Sequence, residues 1–149
     1  MSTNAVLKKW LAREEDLPGV AKAVRDLIIS SGEKPFSLWL KGDLGAGKTT
    51  FARELLRVFG LPKRDPVLSP TFTFMTEYET SEGLVAHMDL YRLIDGDLDS
   101  VEMLLSGRTF RGLIIEWPER AAESPFIHKT HQIIISATND DLVRLIELT

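Results

Sequence analysis

At 149 residues, 44% of them hydrophobic, the chain is long and apolar enough for one ordinary core, and a single domain over residues 1–149 is expected. A net charge of -4 gives no general basic field for holding a polyanion, although a local basic patch could still form, so direct tRNA binding is not indicated by charge. Cysteine is absent, which excludes a disulfide framework and thiolate zinc sites and fits a reducing compartment.

Residues 1–15 alternate apolar and charged side chains and have neither the apolar stretch nor the cleavage site of a signal peptide. No run of about 18 apolar residues follows that could span a bilayer, so the expected location is the cytoplasm, without membrane association. Within this segment, residues 5–12 read as a modest strand. From 17 to 29, Leu17, Val20, Ala21, Val24, Leu27 and Ile28 recur at spacings of three and four, which predicts a helix with Asp16 as N-cap and Pro18 in its first turn. Residues 30–35 form a loop and 36–40 a buried strand. After the glycine-rich stretch 42–47, Phe51, Ala52, Leu55, Leu56 and Phe59 take helical spacing until Gly60.

The segment 61–70 holds three prolines and reads as irregular, and Phe72, Phe74, Thr76 and Tyr78 then alternate as a half-buried strand. A turn at 81–83 leads to a strand at 84–89, followed by a short helix at 97–105 and a buried strand at 112–116. Segments 131–137 and 142–148 flank Thr138-Asn139-Asp140-Asp141 as a closing hairpin. The predicted fold is α/β in three layers, with a central mixed sheet that has parallel core strands and antiparallel hairpins.

The chemistry concentrates in Gly42-Asp43-Leu44-Gly45-Ala46-Gly47-Lys48-Thr49, which fits G-x-x-x-x-G-K-[ST] at every fixed position. Glycines let the backbone curl so that successive N–H groups face phosphate oxygens. Lys48 places a positive charge on the β- and γ-phosphates, Thr49 offers a hydroxyl to Mg²⁺, and the following helix directs its positive end at the anion. The strand before the motif and the helix after it are the context the motif requires. Asp43, Leu44, Gly45, Ala46, Gly47, Lys48, Thr49 and Thr50 are the expected nucleotide-binding residues, with ATP and Mg²⁺ as ligands.

Such a site needs a second acid near the metal, commonly at the end of a neighbouring apolar strand. Glu116 ends Leu113-Ile114-Ile115, and Asp89 ends the strand that begins at Leu84; either would emerge where open α/β sheets bind ligands. Thr71, in Ser69-Pro70-Thr71-Phe72, holds the place where other P-loop proteins sense the γ-phosphate, although Ser-Pro-Thr alone is a turn signal. Trp117 beside Glu116 has packing as its ordinary role. His87, His128 and His131 show no metal-ligand spacing, and no chemistry is assigned to them.

Taken in order, GDLGAGKTT, SPTFTFMTEYE, HMDLYRL and IIEWPER resemble the TsaE (YjeE) family over residues 5–149. The loop alone would point only to a superfamily; the other three blocks at this spacing make the resemblance specific. It implies a Mg²⁺-dependent ATPase that works with TsaD and TsaB, with TsaC supplying threonylcarbamoyl-adenylate, in modifying adenosine 37 of tRNA, and that meets tRNA only through that complex. It also implies Lys48 for phosphate, Thr49 and Glu116 for magnesium, Asp89 and Thr71 for hydrolysis or its coupling, and Trp117 beside the nucleotide, with Tyr91 and Arg92 in the same block as Asp89. One departure stands at Leu17, where relatives often carry threonine near the adenine end. Two other readings of the loop are a small-molecule kinase, for which 93–111 offers only Arg108 and Arg111 as lid cations, and a nucleotide-dependent interaction module with negligible turnover.

Overall fold

A computed structural model describes residues 5–70, 73–94 and 97–149. Strand β1 is Lys8–Ala12, and a single 3₁₀ turn at Glu14–Asp16 leads into helix α1, Leu17–Ser31. Asp16 stands at the N-cap position as expected, but its carboxylate accepts the Arg13 N–H at 2.9 Å, closing the preceding turn, and makes no cap bond to α1. Two residues beyond the predicted end, α1 stops at Gly32, whose φ of 74° provides the left-handed termination. Strand β2, Phe36–Lys41, runs into the glycine-rich loop and then helix α2, Lys48–Val58.

Strand β3 is Met75–Thr80 and β4 is Gly83–Asp89. The strand expected from Phe72 therefore starts later, because Phe74 has φ of 63° and cannot continue a pleated strand; its carbonyl accepts the Asp89 N–H at 3.0 Å instead. Phe72 itself lies outside the described residues. Helix α3, Leu98–Leu105, is capped by the Asp97 carboxylate, which accepts the Ser100 N–H at 3.3 Å. Strands β5, Gly112–Glu116, β6, His131–Ala137, and β7, Arg144–Leu148, complete the set.

The sheet order is β1-β7-β6-β2-β5-β4-β3. Its centre is parallel, with β2 paired to β5 on one side and β6 on the other, and β5 paired to β4. Antiparallel pairs form both flanks, β3 with β4 and β1 with β7 with β6. The order changes direction at β2, so a crevice opens beyond the C-terminal ends of β2, β4 and β5, where ligands of such sheets bind.

One face of the sheet packs on α1 and α2 through Leu38, Leu40, Ile114 and Ile133, which meet Val24, Ile28, Phe51 and Leu55 in one apolar cluster. The other face carries Ala86, Met88, Leu113 and Ile115, covered by Val101 and Leu105 of α3 and by Ala121 and Ile127. At about 1.5–3 kcal/mol for each large side chain buried, these two layers anchor the strand ends that form the crevice. The Phe36 and Phe59 rings stack at 5.1 Å, and Arg25 of α1 donates to the Val58 carbonyl at 2.7 Å, placing a cation on the last turn of α2. Among the described residues no helix is long and apolar enough to cross a membrane.

Candidate functional site

The loop from β2 to α2 is shaped by its glycines. Gly47, at the N-cap of α2, has φ of 103°, which L side chains resist, and a Cβ on Gly42 would sit 2.7 Å from the Ile135 carbonyl of β6. The loop is thereby pressed against the sheet while the first turn of α2 faces outward. Lys48 is 5% exposed and donates to the carbonyls of Gly42 and Asp43, the latter at 3.0 Å. Burial pushes the Lys48 ammonium below its ordinary pKa, and the carboxylates of Glu116, Asp89, Glu119 and Asp43 pull it back up.

Period-2 alternation explains which acids meet this loop. Val85, His87 and Asp89 share one face of β4, while Ile114 and Glu116 share the same face of β5, the face on which α2 packs. Asp89 and Glu116 are register partners at the ends of adjacent parallel strands, and both are buried. The Thr49 hydroxyl lies 3.0 Å from each Glu116 carboxylate oxygen. Asp89 is held separately: the Ser69 hydroxyl donates to its Oδ2 at 2.9 Å and the Tyr91 N–H to its Oδ1 at 3.0 Å.

Trp117 follows Glu116 in a left-handed conformation, φ 57° and ψ 48°, which turns its indole over the loop. The Lys48 ammonium lies 4.3 Å from the indole ring, the Tyr91 ring packs on the other aromatic at 4.9 Å, and the Arg120 guanidinium lies 5.8 Å from Tyr91. A non-glycine residue held at positive φ costs about 1–3 kcal/mol and persists only where its surroundings demand it. Here they place a flat aromatic face over the lysine.

A cleft of about 500 Å³ is lined by Leu44, Lys48, Thr49, Asp89, Glu116 and Trp117, with Tyr91 and Arg92 at its side. A second cleft, of about 320 Å³, lies across Gly45, Gly47 and Thr50 and is lined by Ala46, Arg13, Leu17, Leu142 and Arg144. Both volumes fall in the range of small-molecule sites, about 300–1,000 Å³, and the glycine-rich loop forms the ridge between them. Asp43 contributes its carbonyl to Lys48. Thr71 lies outside the described residues. Of the cations that could face phosphate, Arg92 lines the larger cleft. Arg108 instead pairs with Glu77, and Arg111 sits before the start of β5, about 16 Å along the strand from Glu116.

His87, to which sequence reasoning assigned no chemistry, touches this site: its Nε2 is 2.7 Å from Glu116 Oε2. The only local signal was its two-residue offset from Asp89 on an alternating strand. Its contact with Glu116 depends on β4 and β5 lying side by side, which no spacing in the sequence records.

The donors present suit a hard divalent cation beside a phosphate chain. A hydroxyl and a carboxylate converge at the mouth of the glycine-rich loop, and Mg²⁺ is commonly held by one or two protein oxygens with phosphates and water completing its shell. Among the described residues no three His, Asp or Glu side chains cluster to hold a metal by themselves.

The family model described as "Threonylcarbamoyl adenosine biosynthesis protein TsaE" matches residues 11–146 of this chain. A tRNA threonylcarbamoyladenosine biosynthesis protein TsaE from Aquifex aeolicus is 39% identical over 110 residues, covering 74% of this chain and 75% of its own length. Its counterpart from Bacillus subtilis is 33% identical over 125 residues, covering 83% and 76%. A crystal structure of Bacillus subtilis YdiB matches with a TM-score of 0.69 at 30% identity, over 98% of this chain and 87% of that one.

Proposed function

This chain belongs to the TsaE family of threonylcarbamoyl adenosine biosynthesis proteins, and on that premise we propose that it is a Mg²⁺-dependent ATPase supporting threonylcarbamoylation of adenosine 37 in tRNA. Its partners in this reading are TsaD and TsaB, it reaches tRNA only through their complex, and it works in the cytoplasm. The observation that carries the proposal is the convergence of Lys48, Thr49, Asp89 and Glu116 on one cleft at the end of β2.

Each residue then has a task set by its chemistry. The loop N–H groups and the first turn of α2 bind the phosphate oxygens, the larger cleft taking the phosphate end and the smaller one the nucleoside. Lys48 leaves the Gly42 and Asp43 carbonyls to face the β- and γ-phosphates, exchanging weak acceptors for a formal anion. Thr49 and Glu116 hold Mg²⁺, which when bound neutralises charge building on the phosphate oxygens. Asp89, fixed by Ser69 and the Tyr91 N–H, orients the attacking water or couples hydrolysis to the partners. Trp117 shields the site from bulk water, and Arg92 is the cation within the chain best placed to meet transition-state charge. Arg108 and Arg111, the lid cations a kinase reading required, are placed elsewhere.

The test is phosphate release by the protein alone, with TsaD and TsaB, and with tRNA added, alongside quantification of modified tRNA. Slow turnover alone, changed by the partners, is expected. Fast turnover alone, with no response to the partners and with repeated rounds of modification in the absence of this chain, would sink the proposal. ATP binding without hydrolysis under any of these conditions would make it a nucleotide-dependent interaction module instead.

A further inference from the structure

We propose that His87 is a positioning residue that selects which oxygen of Glu116 faces the metal and phosphates; this rests on the reading of Thr49 and Glu116 as a magnesium pair. His87 is 0% exposed, and its Nε2 lies 2.7 Å from Glu116 Oε2. A carboxylate only accepts, so Nε2 carries the proton and donates it. The other ring nitrogen, Nδ1, is buried with no hydrogen-bond partner. A polar ring with one nitrogen orphaned is a costly occupant of a buried strand position that an apolar residue would fill without penalty. The bond to Glu116 is the one polar interaction that the position gains among the described residues.

The geometry gives that bond a purpose. Thr49 Oγ1 stands 3.0 Å from both Glu116 oxygens and therefore does not distinguish between them. His87 does, because it bonds Oε2 alone. With Oε2 tied to β4, rotation of the carboxylate is blocked and Oε1 is left for the cleft. Register supports the same arrangement from the backbone: His87 pairs with Ile114 and Asp89 with Glu116, so the imidazole sits one pleat below the carboxylate it holds, on the same face. Hydrogen bonding of a ligating carboxylate by a buried neighbour is how protein sites fix the direction of a metal ligand.

The experiment uses the full chain with a fluorescent ATP analogue, titrated with Mg²⁺ and repeated in EDTA, together with Mg²⁺-dependent phosphate release. His87→Phe keeps a flat ring and removes the donor. Its Mg²⁺ half-saturation is expected to rise about 10–100-fold, the usual cost of losing such a support, while nucleotide affinity in EDTA stays within about twofold of wild type. His87→Gln, whose amide can reach Oε2, should recover most of the loss. In a Glu116→Gln background the His87→Phe change should add nothing, since the two act through one bond. In the metal-free protein, the His87 Nε2–H resonance should be slow to exchange and lose that protection in Glu116→Ala.

Wild-type Mg²⁺ titration in a natively folded His87→Phe overturns the proposal, as does an equal loss of nucleotide affinity in EDTA or full additivity with Glu116→Gln. If His87→Phe does not fold, His87→Asn, which ends short of Oε2, carries the same expectation and the same refutation. Should wild type bind the analogue equally with and without Mg²⁺ while the His87 resonance remains protected by Glu116, the magnesium reading falls and the proposal with it, leaving only a structural bond.

Discussion

In the proposed ATPase, nucleotide binding turns on Lys48. In the structure its ammonium is occupied by two loop carbonyls and faces the Trp117 ring, so it is already fixed where a phosphate chain would displace those acceptors. Replacing it with alanine removes the formal positive charge of the loop and leaves the backbone N–H groups in place. Lys48→Ala should weaken Mg²⁺-ATP by roughly 100-fold or more, the value of charge-assisted bonds to phosphate. Calorimetry checks this, and unchanged affinity would remove the lysine from the site. Trp117 provides a contrast at the same scale. Its identity was legible beside Glu116, but its left-handed backbone was not, because a tryptophan adopts φ of 57° only under tertiary demand.

At the scale of elements, α2 both carries the loop and anchors it. Phe51, Ala52, Leu55 and Leu56 are fully buried on one face, and Phe59 extends that face onto Phe36 of β2. Leu55→Ala should therefore cost about 2–5 kcal/mol, read as a lower urea midpoint with little change in slope. Elements of this kind were legible because their information is local: period 3.6 in α1 and α2, apolar runs in β2 and β5, and a motif binding strand to helix. The misreading at Phe74 fell where a tertiary contact outbid a local signal: the residue continues an alternating pattern yet bends to receive the Asp89 N–H. Asp16 does stand at the N-cap of α1, but its carboxylate is engaged by the turn before it, a local bond to Arg13. The candidate site divides in the same way. Lys48 and Thr49 are spelled out in consecutive letters, Glu116 and Asp89 are visible as acids ending apolar runs, and His87 becomes meaningful only when β4 is laid against β5.

For the molecule as a whole, the two clefts are assembled from distant parts of the chain: Arg13 and Leu17 near one end, the loop in the first third, and Leu142 and Arg144 near the other. A ligand spanning them binds the folded state alone. Mg²⁺-ATP at 100 times its Kd should add about 2.7 kcal/mol of stability, a rise of roughly 5–10 °C in Tm for a domain of this size. Differential scanning fluorimetry with Mg²⁺-ATP, with ATP plus EDTA, and with Lys48→Ala checks the expectation; an equal rise in the lysine variant would mean that the ligand is held elsewhere.

The pairing of β1 with β7 has a consequence for the chain as it leaves the ribosome. Lys8 is matched to Leu148 and Ala12 to Arg144, so β1 waits for β7. At about 5–20 residues per second, that interval is on the order of ten seconds. Throughout it β1 is an unpaired strand, and Lys8 and Lys9 supply the charge that discourages such an edge from joining a neighbouring nascent chain. The loop of β2 and α2 is synthesised before β7, and the wall of the smaller cleft that contains Arg144 and Ile146 arrives only with that strand. The nucleotide of the proposed function would thus meet a complete cradle only after translation has reached the end of β7.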